Sequence, residues 1–84
     1  MTQKEIMHAK KKAKECLNFF NIKVPMTKMN ILFYHIYTDS FFITFFDVRT
    51  KDYYQCEYKN SEYNICMKSR TGKITVFSSE EGKK

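Results

Sequence analysis

An α+β domain, with one N-terminal helix packed on a four- to five-stranded antiparallel meander sheet, is predicted by three features of the 84-residue sequence. The chain opens on an amphipathic segment. Short runs rich in Phe, Tyr, Ile and Val follow it. The stretches between those runs are too short for crossover helices, so neighbouring strands must pair antiparallel. The run Phe41-Phe42-Ile43-Thr44-Phe45-Phe46-Asp47-Val48 is the centre of this arrangement, because its Phe and β-branched residues present apolar groups on both faces of a strand.

The helix begins at Thr2-Gln3-Lys4-Glu5, a capping box in which the Thr2 hydroxyl accepts from the Glu5 amide and the Glu5 carboxylate accepts from the Thr2 amide. Ile6, Ala9, Ala13, Cys16, Leu17 and Phe20 recur at helical spacing and form one stripe to be buried. Lys4, His8, Lys11, Lys12 and Glu15 fall mostly away from it. Pro25 and the extended residue before it end the helix, leaving residues 21–29 as a connection.

Strands are expected over residues 30–37, 41–49, 52–58, 62–68 and 73–77. Turns fall at Thr38-Asp39-Ser40, Thr50-Lys51, Asn60-Ser61 and Ser69-Arg70-Thr71-Gly72, where Gly72 supplies a positive φ. Two-residue turns at Thr50-Lys51 and Asn60-Ser61 place Phe41, Ile43 and Phe45 on one face with Tyr54, Cys56, Tyr58, Tyr63, Ile65 and Met67. That face is assigned to the helix. The first strand offers the opposite face either Ile31, Phe33, His35 and Tyr37 or Leu32, Tyr34 and Ile36, depending on its turn.

The length bounds the chain to one domain over residues 1–84, with an ordered core at about 3–77 and 78–84 as a loose tail. An apolar fraction of 43% and an aromatic fraction of 17% argue for a packed chain. The opening stretch lacks the apolar segment of a signal peptide, and no apolar run approaches the ~20 residues of a membrane span, so the expected location is cytoplasmic with no membrane partner. The three cysteines Cys16, Cys56 and Cys66 have no Cys-x-x-Cys spacing and favour reduced thiols over a disulfide framework or zinc cage. Neither a cofactor nor a metal is implied. His8 and His35 lie on different elements, and no nucleophile-base or paired-carboxylate set can be assembled, so the expectation is a non-catalytic chain.

Candidate contact residues lie opposite the helix. Phe42, Thr44, Phe46 and Val48 point there, with Tyr53 alongside, and a single helix cannot cover both sides of the sheet. A contiguous apolar patch is therefore expected at the end of the sheet formed by the first two strands. Its partner-binding residues are Phe42, Phe46, Val48 and Tyr53, joined by His35 and Tyr37 if the first turn has two residues. Such a patch suits another protein or a second copy meeting sheet to sheet, and an open sheet edge offers strand addition as a further mode. Lys10, Lys11, Lys12 and Lys14 form a basic run on the helix within a net charge of +6, which makes nucleic-acid binding the alternative. The lysines and the aromatics lie on opposite sides, so one ligand would not use both.

Tyr53-Tyr54-Gln55-Cys56-Glu57-Tyr58-Lys59-Asn60-Ser61-Glu62-Tyr63-Asn64-Ile65-Cys66-Met67-Lys68, followed by Thr71-Gly72-Lys73-Ile74, resembles the end of PepSY-type domains. The resemblance implies a helix ahead of antiparallel strands and a non-catalytic regulatory or inhibitory role, often outside the cytoplasm. The chain departs from that pattern at Lys68-Ser69, where an acidic residue is usual, and no functional residue is carried over. Together these features lead to the expectation of a small binding module, an inhibitor or regulator of a larger protein, of the kind encoded by phages and mobile elements.

Overall fold

The computed structural model describes residues 1–79. Helix α1 spans Gln3–Phe19, a single 3-10 turn spans Met26–Lys28, and five strands follow: β1 Met29–Ile36, β2 Phe41–Asp47, β3 Asp52–Lys59, β4 Glu62–Lys68 and β5 Ile74–Ser78. Every strand pairs antiparallel with its neighbour in the sheet order β1-β2-β3-β4-β5. This is the expected α+β meander, with five strands. Among the described residues no helix is long and apolar enough to cross a membrane.

The start of α1 is the capping box read from the sequence. Glu5 N–H donates to Thr2 Oγ1 at 3.1 Å and Thr2 N–H donates to Glu5 Oε1 at 3.2 Å. The hydroxyl of Tyr34, on β1, donates to the second carboxylate oxygen of Glu5, so the cap also ties the helix to the sheet. That bond, followed by the bonds from Thr2, lowers the Glu5 pKa from 4.5 to about 2. The folded-state value lies below the ordinary one, so the stabilisation is complete above pH 4.5 and lost as pH falls through about 2. We expect unfolding titrations to show a decline in stability across this window that Glu5→Gln flattens; an unchanged acid limb would contradict the coupling.

At the other end, Asn21 takes the left-handed position with φ of 59°. Its N–H bonds the Asn18 carbonyl at 3.0 Å and the Ile22 N–H bonds the Leu17 carbonyl at 2.9 Å, closing the helix with Asn where glycine is commoner. Lys14 Nζ donates to the Val24 carbonyl at 2.9 Å, which pins the connection back against the helix.

The core lies between α1 and the sheet. Ala9, Ala13, Cys16 and Leu17 of the helix meet Phe41, Ile43, Phe45, Tyr54, Cys56 and Ile65, with Val24, Met29 and Ile31 closing one end. Phe45 is fully buried and stacks on Tyr54 at 4.8 Å with an interplanar angle of 9°. The helix-facing side is thus the one assigned from the alternation, with Tyr58, Tyr63 and Met67 at its margin.

Details of register differ from expectation in four places. The β2–β3 connection comprises residues 48–51, with Asp47 opposite Asp52; β2 ends at Asp47, and Val48 belongs to the turn. Relative to a two-residue Thr50-Lys51 turn this moves the pairing by two residues, and because side chains alternate with period two, the face assignments of the paired residues survive, while Val48 leaves the strand. In β1, neither alternative holds along the whole strand. Ile31 pairs with Phe45 and Phe33 with Thr44, so a bulge at Leu32 switches the inward set from Met29 and Ile31 to Tyr34 and Ile36.

The connection read as residues 21–29 holds the 3-10 turn, and Met29 already belongs to β1. At the far end, Ser78 lies in β5 and Ser79 is buried: Tyr63 N–H donates to Ser79 Oγ at 3.0 Å, and Ser79 N–H to the Tyr63 carbonyl at 2.9 Å. Ser78 and Ser79 therefore belong to the packed domain, and the rest of the expected tail, 80–84, lies outside the described residues.

Candidate functional site: the outer face of the sheet

The face of the sheet turned away from α1 is ordered into three rows across all five strands. Asn30, Phe46, Tyr53, Lys68 and Ile74 form the first. Phe33, Thr44, Gln55, Cys66 and Val76 form the second, and His35, Phe42, Glu57, Asn64 and Ser78 the third. No element among the described residues packs over them; α1, which could, covers the other side.

Among the described residues ten large hydrophobics are exposed, and seven of them belong to this face or its margins: Leu32, Phe33, Tyr37, Val48, Tyr53, Ile74 and Val76, each 41–62% exposed. Isolated exposed hydrophobics are ordinary, but this many on one side of a sheet are not; they form an aromatic group on β1–β3 and an aliphatic pair on β5, with Gln55, Glu57, Lys68, Cys66 and Asn64 between them. Taking ~150–250 Å² for each side chain, the aromatic range applied to all, these seven leave roughly 550–900 Å² open to solvent.

The aromatic groups are interlocked. Phe33 packs edge-on against His35 at 4.8 Å and against Phe42 at 6.2 Å, and His35 stacks on Tyr37 at 5.9 Å with an interplanar angle of 2°. Phe46 lies 4.8 Å from Tyr53, and Lys51 Nζ sits 6.0 Å from the Phe46 ring centre. Between the aromatics of β1–β3 and the aliphatics of β5 runs a shallow depression of about 500 Å³, floored by Thr44, Gln55 and Cys66 and edged by Tyr53, Lys68 and Ile74.

Of the partner-binding residues read from the sequence, Phe42, Phe46, Tyr53, His35 and Tyr37 lie on this side, while Val48 is exposed in the β2–β3 turn. The first turn has two central residues, since Tyr37 N–H bonds the Ser40 carbonyl at 2.8 Å, and it brings His35 and Tyr37 to the same face as Phe42. Phe42 and Phe46 are only half-buried, shielded in part by the flanking rings, while Tyr53 and Tyr37 are exposed. The patch extends further than the end formed by the first two strands. Ile74 and Val76 carry it to the opposite edge, where Gly72, with φ of 93°, lies in the connection and the β4–β5 register turns Ile74 and Val76 outward against Phe77 inward.

The basic run on α1 does not converge. Lys12 pairs with Glu15 at 3.3 Å, Lys14 is engaged by the Val24 carbonyl, Lys10 is half-buried and Lys11 is exposed. All four lie on α1, across the sheet from the aromatic face.

One ionic feature escaped sequence reasoning. Asp47 is fully buried on the helix-facing side, in line with Phe41, Ile43 and Phe45. Burial opposes its ionisation, but the Arg49 guanidinium, donating to both carboxylate oxygens at 3.2 and 2.9 Å, and the Arg49 amide hold its pKa below the usual range. Arg49 also donates to the Lys23 carbonyl at 3.2 Å, so the pair fastens the β2–β3 turn to the connection after α1. The available signal was a carboxylate at an inward strand position, which demands a cation nearby.

The thiols divide by environment. Cys16 and Cys56 are buried, and Cys16 Sγ lies 3.6 Å from the Asn64 carbonyl. The Cys56 thiol is pushed well up by its hydrogen bond with Cys16 and then by burial. Cys66 is part-exposed on the outer face. Among the described residues, no group of three or more His, Cys, Asp or Glu side chains is arranged to hold a metal ion.

No family model, curated protein or solved structure matches the chain. The likeness to PepSY-type domains rests on residues 53–68 and 71–74 alone.

Proposed function

We propose that the protein is a non-catalytic binding module that meets another protein through the outer face of its sheet, acting as an inhibitor or regulator of that partner. The observation that carries this reading is the uncovered apolar face, with Phe33, Tyr37, Tyr53, Ile74 and Val76 open around half-buried Phe42 and Phe46. Rigid aromatic anchors flanked by polar groups are the material of protein contact surfaces. The regulatory role has the support of the PepSY resemblance, and a phage or mobile-element origin that of the small basic chain. Cytoplasmic residence is part of the same proposal.

The test is affinity capture with the full chain. Tyr53→Asp should abolish retention of the partner while the circular dichroism spectrum stays that of the wild type; a folded variant that retains the partner would refute the reading. Nucleic-acid binding is separated in the same set of proteins. A fluorescent single-stranded oligonucleotide should show no salt-sensitive binding, and reversing Lys11 and Lys12 to Glu should leave partner capture unchanged. Salt-dependent oligonucleotide binding lost on that reversal would transfer the function to the helix lysines.

A further inference from the structure

We infer that the outer face closes on a second copy of this chain, giving a sheet-to-sheet homodimer. The inference rests on the reading of that face as a protein-contact surface and names what occupies it in the free chain, a second copy that the regulated partner displaces.

Two observations select a copy over a partner of different chemistry. The first is area. The seven exposed hydrophobics present roughly 550–900 Å² by the side-chain areas used above, which brackets the ~800 Å² that each partner contributes to an interface of standard size.

The second is charge. The chain carries +6, yet the three outward rows contain one formally cationic and one anionic side chain, Lys68 and Glu57, with Lys51 beside the Phe46 ring and His35 at the rim. Lys4, Lys10, Lys11, Lys12, Lys14, Lys23 and Lys28 lie on α1 or the connection behind it, across the thickness of the sheet. Two copies stacked by their outer faces therefore keep the seven lysines of α1 and the connection outside and bring only Lys51 and Lys68 of each copy to the contact, with Glu57 as counter-charge. An acidic partner would instead find its complementary charge on the wrong side. The interface would be isologous, the same patch contributed twice, with aromatics and aliphatics from both copies enclosing the shallow Thr44, Gln55 and Cys66 floor.

Sedimentation of the full chain across a concentration series is the test, alongside Tyr37→Asp and Val76→Asp. These residues are 62% and 61% exposed, so their replacement leaves the core intact. The wild type is expected to reach twice 10.2 kDa at micromolar concentration, and labelling of Cys66 by a thiol reagent should slow as the dimer forms. Each variant should remain folded by circular dichroism and weaken association about tenfold or more, a carboxylate being costly inside such a contact. Should one variant misfold, the other carries the comparison.

A wild type that stays monomeric throughout the series overturns the dimer. The wider contact reading is then judged by Tyr53→Asp in affinity capture and fails only if that variant keeps its partner. Dimerisation that persists in the folded variants, or Cys66 labelling indifferent to concentration, places the contact elsewhere and also overturns the inference.

Discussion

Phe45→Ala is expected to destabilise the protein by about 3–5 kcal/mol, the range for truncating a fully enclosed aromatic. In a chain this small, where total stability is on the order of 5–10 kcal/mol, that is a large part of the whole. Phe45 is fully buried at the middle of β2, stacked on Tyr54 and across from Ile31, so the lost ring leaves a cavity that a two-layer fold of 18 Å thickness has little means to close. Chemical denaturation should show the loss as a lowered midpoint with an unchanged slope. A cost below about 1 kcal/mol would mean that the core is not organised around this strand.

Phe46→Asp, one residue along, is expected to act on binding with a modest effect on stability. Its ring points away from α1, touches Tyr53 and is half-buried. Replacement forfeits that contact and some strand propensity, roughly 1 kcal/mol together. In a partner interface the same carboxylate would be desolvated without a cation, and losing a central aromatic anchor costs on the order of 2 kcal/mol or more, a 30-fold or larger drop in affinity. Titration calorimetry with the captured partner, checked against the denaturation midpoint, measures both effects. Global unfolding of this variant would show that Phe46 belongs to a core, and undiminished affinity would remove it from the contact surface. Adjacent phenylalanines thus serve opposite ends because a strand turns successive side chains to opposite faces.

The same alternation explains how much of the fold was legible in the sequence. The Thr2 and Glu5 cap, the stripe from Ala9 to Leu17 and the Asn60-Ser61 turn each have local causes, and each is found where its residues put it; both turn residues take positive φ. The β2–β3 turn was read two residues short without error in the faces, because parity alone decides which side a residue occupies.

The Leu32 bulge breaks parity inside a strand, and nothing in Asn30-Ile31-Leu32-Phe33 announces it, since both of its outcomes place apolar residues on both sides. Asp47 was hidden for a different reason. Its partner is a nearby Arg49 that an alternating pattern treats as turn surface, whereas the folded chain aims that guanidinium back at the buried carboxylate. Of the candidate site, the anchors on β1, β2 and β3 followed from the apolar excess of β2. Ile74 and Val76 did not, because their side depends on the register of the last hairpin.

Among the described residues the sheet is sheltered on one side only, and the three cysteines report on that directly. In dilute, folded, reduced protein, a charged thiol reagent should label Cys66 readily and leave Cys16 and Cys56 untouched until denaturant is added, giving one fast thiol per chain. If Cys66 also resists labelling in the dilute monomer, the outer face is enclosed within the protomer and cannot serve as the contact surface.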